Sequence, residues 1–134
     1  MSSPEWSKSF ETGIEVIDLQ HRMLFDTVAK LEEAIREGKA QTGLKKTLTE
    51  IDNYINEHFI AEEELFAKHR YPKAAAHRAA HRQFGEEVLA FYPRFEDHTL
   101  DALAMCQFLR VWLHTHVMRM DMDYKDYFKS TGVI

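Results

Sequence analysis

The stretch HFIAEEELF, residues 58–66, lies within a helical stripe and places His58 and Glu62 on the stripe itself. On either side, Leu44, Leu48, Ile51, Ile55 and Leu65 keep alternating four- and three-residue spacing with those two residues. That rhythm is one buried face of an α-helix. An imidazole and a carboxylate on such a face cost several kcal/mol to bury unless a partner satisfies both. The stretch therefore predicts a helix and also demands something polar inside the core.

Three further stripes surround it. Ile17, His21, Leu24, Val28, Leu31 and Ile35 predict a first helix over about 18–38, with Asp18 as N-cap and Gly38 at its end. The helix carrying HFIAEEELF runs over about 43–69. His77, His81, Phe84, Val88 and Phe91 predict a third over about 72–91, opened by Pro72. Ala102, Met105, Leu109, Trp112 and His116 predict a fourth over about 100–121. Residues 1–17 are expected to form an arm and 122–134 a short helical tail. No segment alternates as a strand would. The expectation is an all-α single domain over 1–134, an antiparallel up-down-up-down four-helix bundle.

Composition narrows the function. The 134 residues suffice for one sizeable core and carry a formal charge of −5. That balance gives no electrostatic footprint for nucleic acid, and no apolar run is long enough to span a membrane. The opening MSSPEWSKSFETG lacks the basic-then-apolar order of a secretory signal. Cys106, the single cysteine, cannot form an internal disulfide and reads as a small buried core residue, so a reducing cytoplasm is the expected location. The stripes use most of the large apolar residues, and a monomer is expected.

The eight histidines decide the rest. His21 lies near the start of helix one, His58 near the end of helix two, His77 and His81 near the start of helix three, and His116 near the end of helix four. In an antiparallel bundle those ends meet, so all five imidazoles converge on one layer, joined by Glu62. One histidine on an apolar face is usually satisfied by a backbone carbonyl. Five in one layer would repel one another if protonated and lack partners if neutral. A divalent metal partners every lone pair at once. His58 and Glu62, like His77 and His81, are four residues apart, about 6 Å along one helix face. This donor set exceeds a four-ligand structural zinc site and is too nitrogen-rich for calcium or magnesium. Iron or manganese in a dinuclear site suits it, with zinc, copper or nickel still chemically possible. Glu63 and Glu64 rotate away from the core and are expected in solvent. His69, His98 and His114 are not expected to be ligands.

At this point the residues resemble a family. GIEVIDLQHRMLF, HFIAEEELF, HRAAH within YPKAAAHRAAHRQF, and WLHTHVMRMDMDY are similar to the hemerythrins, most closely the single-domain bacterial ones, from Trp6 to Tyr124. The resemblance implies a four-helix bundle that binds dioxygen at two iron ions per chain. The implied ligands are His21, His58, Glu62, His77, His81, His116 and Asp121, the ions being bridged by Glu62, Asp121 and an oxo or hydroxo group. It adds Asp121, which lies about 140° around an ideal helix from His116 and reaches inward only if the helix is locally widened, as by a π turn. It also implies an arm with Trp6 packed across the bundle and an apolar O2 pocket formed by Leu24, Phe59, Trp112 and Leu113. The implied function is reversible dioxygen binding for storage, delivery or sensing, with an O2-consuming enzyme as a possible recipient and no catalytic residues. The alternative is a di-iron enzyme acting on O2, peroxide or nitric oxide.

Overall fold

In the computed structural model, which describes residues 11–134, the stripes become helices packed by their apolar faces. Trp6 and the first part of the arm lie outside the described residues. The first helix, α1 (Glu15–Arg36), begins earlier than expected, because Ile14 and not Asp18 stands at its N-terminal boundary. Asp18 sits in the first turn and reaches back. Its carboxylate accepts from Thr12 N (2.7 Å), Thr12 Oγ1 (2.8 Å) and Gly13 N (3.2 Å), tying the entering chain to the helix. An acidic side chain there also suits the positive helix end. At the other end Gly38 takes a left-handed φ of 74°, which lets Lys39 N donate to Ala34 O (2.8 Å) and closes the helix.

The second helical rod comprises α2 (Ala40–Tyr54), a π segment (Ile55–Phe59) and α3 (Ile60–His69). A π turn holds an extra residue, so the buried face drifts by one position towards the end of the rod. Phe66 is consequently fully buried, whereas Leu65 and Ile55, both expected in the core, are only partly covered. Arg70 (φ 54°) ends the rod, and Pro72 falls in the turn before α4 (Ala74–Leu89). Part of the expected connection to the fourth helix is itself a short helix, α5 (Phe91–Glu96). Next, α6 (Ala102–Thr115) is capped by Asp101, whose carboxylate accepts from Leu103 N (3.0 Å) and Ala104 N (3.2 Å). It continues through a second π segment (His116–Asp121) into α7 (Met122–Ser130), so the expected tail prolongs the fourth rod.

Helix α1 packs on α2 and α6, and α3 packs on α4, giving a four-helix bundle with no strand among the described residues. No described helix is long and apolar enough to cross a membrane. Cys106 is buried, as expected, and burial pushes its thiol up from the ordinary range.

The core is two apolar clusters. One contains Leu24, Phe59, Phe84, Leu113 and Val117; the other contains Ile17, Phe66, Tyr71, Tyr124 and Phe128. Along each rod the polar residues fall between them: His21 between Ile17 and Leu24, Glu62 between Phe59 and Phe66, Asp121 between Val117 and Tyr124. Hydrophobic burial on both sides therefore holds the polar layer shut.

Gly43 sets the α1–α2 approach. A Cβ there would lie 2.6 Å from the Ala34 Cβ, so Gly43→Ala must push the helices apart. We expect it to lower stability by about 1–3 kcal/mol, despite alanine's better helix propensity. Denaturant unfolding checks this, and a variant at or above parental stability would show that the helices can separate freely.

Candidate metal centre

Four rods deliver the polar layer. His21 comes from α1, His58 from the first π segment, Glu62 from α3, His77 and His81 from α4, and His116 and Asp121 from the second π segment. All seven are buried, each 4% exposed or less. The widened turn answers the difficulty with Asp121: the extra residue between His116 and Asp121 lets both side chains point inward.

The inward atoms crowd together. His21 Nε2 is 2.9 Å from Asp121 Oδ2, and His58 Nε2 is 2.9 Å from Glu62 Oε1. Asp121 Oδ1 lies 3.1 Å from His77 Nε2 and 3.2 Å from His116 Nε2, and Glu62 Oε1 lies 3.2 Å from His81 Nε2. Yet both oxygens of each carboxylate, with Nε2 of His58 and of His81, lack hydrogen-bond geometry. Ring nitrogens and carboxylate oxygens that lie this close without hydrogen-bond geometry point at common centres, as the ligands of an ion do. The atoms form two overlapping groups able to hold a metal ion: Glu62, His77, His81 and His116, and His21, His58, Glu62 and Asp121. Glu62 belongs to both, and Asp121 reaches His77 and His116 as well. The donor set thus fits a metal pair sharing carboxylates better than it fits an empty core.

Electrostatics agree. Burial and the neighbouring Asp121 charge push Glu62 up, and it is held below the usual carboxylate range only while His58 and His81 turn protons towards it, the part a metal cation would take over. Burial likewise raises Asp121, and His116, His21 and His77 more than reverse it. Burial dominates at His58, lowering it and favouring the neutral ligating form. At His21 burial is outweighed by Asp121, and the ring is raised.

The structure corrects one expectation and adds several residues. Glu63 is not simply solvated: its Oε2 lies 3.0 Å from His81 Nδ1. Gln20 Oε1 lies 2.7 Å from His58 Nδ1. Neither partner is visible as periodicity, since each follows or precedes a stripe residue by one position and so points to a flank. Tyr54 and Tyr124 bring buried rings to the layer, and burial, then the charges of Glu62 and Asp121, push both phenols well above the usual range. Tyr54 sits four residues before His58 and Tyr124 three after Asp121, spacing that could have revealed them. His69, His98 and His114 are in neither group. His98 Nδ1 lies 3.1 Å from Gln41 Nε2 on the surface.

Of the four residues expected to form the pocket, two stack on rings of the layer. Phe59 stacks on His81 with ring centroids 3.7 Å apart, and Trp112 on His116 at 4.5 Å. Leu24 and Leu113 are 3% and 0% exposed, whereas Trp112 is only partly buried.

Comparison with known proteins places this architecture. The hemerythrin HHE cation binding domain matches residues 12–128. A bacteriohemerythrin of Stenotrophomonas maltophilia is 30% identical over 125 residues, covering 93% of this chain and 81% of that protein. One from Clostridium acetobutylicum is 29% identical, covering 90% and 98%. A crystal structure of a leucine-to-phenylalanine mutant superposes with a TM-score of 0.83 at 26% identity, covering 94% of this chain and 97% of that one. With its polar layer, its bundle and this match along nearly its whole length, the chain belongs to the hemerythrin family.

Proposed function

We propose that this protein binds dioxygen reversibly at two iron ions held by His21, His58, Glu62, His77, His81, His116 and Asp121. The observation that carries the reading is the unequal split of imidazoles around shared carboxylates in an apolar, closed layer. His77, His81 and His116 would hold one ion and His21 and His58 the other. Glu62 and Asp121, with an oxo or hydroxo group, would bridge the pair. The ion with two imidazoles would keep room for a small molecule. Iron supplies reversible exchange of electrons with O2; the chain supplies a dry wall. Phe59, Trp112, Leu24 and Leu113 exclude water around His58, His81 and His116.

The rival is a di-iron enzyme acting on O2, peroxide or nitric oxide. Such chemistry needs protons, and Tyr54 and Tyr124 are protonated groups within the layer. One experiment separates the two. Protein expressed with iron is expected to contain two irons per chain. Anaerobic reduction followed by air should give a coloured product that reverts when O2 is removed. One-way oxidation with released peroxide would favour the enzyme, and one zinc per chain would sink both.

The protein is proposed to work as a cytoplasmic monomer that supplies O2 to a consuming enzyme. A stable assembly in sedimentation at micromolar concentration would overturn the monomer.

A further inference from the structure

We propose that Gln20 and Glu63 are positioning residues that make the two halves of the metal centre electronically unequal; this rests on the metal-binding reading above. Both act at the outward edge of an imidazole. His58 Nδ1 is 2.7 Å from Gln20 Oε1, and His81 Nδ1 is 3.0 Å from Glu63 Oε2. An amide oxygen and a carboxylate can only accept, so each ring carries its proton on Nδ1 and turns a bare Nε2 inward. Stacking holds the same orientation: Tyr54 lies 4.6 Å from His58 and Phe59 lies 3.7 Å from His81, centroid to centroid.

The two partners differ in charge. A carboxylate accepting the Nδ1 proton makes the imidazole a more basic, stronger donor than an uncharged amide does. The group of Glu62, His77, His81 and His116 therefore contains an anion-backed ligand. In the group of His21, His58, Glu62 and Asp121, the partner of His58 is neutral. The first position already has the extra imidazole, so Glu63 adds to an existing bias. Its ion is held tightly, while the ion with room for a small molecule has the weaker donor at His58. That division makes His81 the stronger and His58 the weaker donor of the two.

Both partners are accessible to substitution without opening the core. Gln20 lines a surface groove with Met23, Tyr54 and Glu57, and Glu63 lines another with Asn56 and Arg82. The Glu63 side chain is 32% exposed.

The test loads the protein anaerobically with ferrous iron and follows release to excess chelator. The parent should release one iron quickly and one slowly. Glu63→Gln should speed the slow phase about 10–100-fold and leave the fast one, the range typical for losing such a partner. Gln20→Glu should slow the fast phase. In the zinc-loaded protein, NMR should show a downfield, slowly exchanging His81 Nδ1–H that moves upfield in Glu63→Gln, a change that general destabilisation would not produce. Release within twofold of the parent in both variants, with the Nδ1–H resonance unmoved, overturns this proposal alone. A parent that binds neither metal overturns the functional reading and this one with it.

Discussion

His77→Ala and Asp121→Ala should emerge from expression with well under two irons per chain, whereas His69→Ala and His98→Ala should hold two. Asp121 contacts His21, His77 and His116 at 2.9–3.2 Å, so its loss removes a donor shared across both halves of the layer. His77 lies within the three-imidazole group and 3.2 Å from His116 Nε2. The loss has a thermal signature. A ligand that binds only the native state stabilises it by about 2.7 kcal/mol at a hundred times its Kd, which for a domain of this size is on the order of 10 °C in Tm. The gap in Tm between iron-loaded and metal-free protein should therefore be large in the parent and the two controls. It should nearly vanish in His77→Ala and Asp121→Ala. Comparing gaps, not absolute Tm values, removes whatever each substitution does to packing. A gap that persists in both variants would assign those side chains to structure and not to the metal.

The bundle was legible because apolar periodicity and end matching are enough to build it. Ile17, Leu24, Val28 and Leu31 recur as one face, and the same end-to-end logic put five imidazoles at one height, where the structure has them. Periodicity assumes 3.6 residues per turn, and the reading failed where the chain departs from it. The π segment at Ile55–Phe59 moved the buried position from Leu65 to Phe66. The one at His116–Asp121 turned Asp121 inward, a residue that only the family resemblance had singled out. Both distortions contain candidate ligands, His58 in the first and His116 with Asp121 in the second, so the departure from 3.6 residues per turn falls where the polar layer is built. Asp18 was misread for a different reason: capping residues are recognised by type, and a first-turn aspartate that ties down Thr12 and Gly13 looks the same in sequence as an N-cap. Gln20 and Glu63 were missed because their role is read from a distance to a ring nitrogen, which no spacing rule encodes.

Leu113→Ala is expected to destabilise the protein by about 2–5 kcal/mol and to speed autoxidation while leaving two irons per chain. Leu113 is fully buried and three residues before His116, in the apolar cluster that contains Leu24 and Phe59 and packs against Trp112. Truncation leaves a void beside the layer. A void bordered only by hydrocarbon stays dry, but this one would adjoin carboxylates and imidazoles that can hold a water. Water brings protons, and proton delivery is what turns reversible uptake of O2 into one-way oxidation. None of the seven candidate ligands is touched, so iron content should not change. Leu24→Ala makes the same comparison from α1, where Leu24 lines the groove beside His58. The readouts are denaturant unfolding, iron analysis and the decay of the O2-dependent colour in air. A variant that loses stability yet autoxidises at the parental rate would make that leucine a packing residue only, and would leave the stacked rings of Phe59 and Trp112 as the barrier that keeps the site dry.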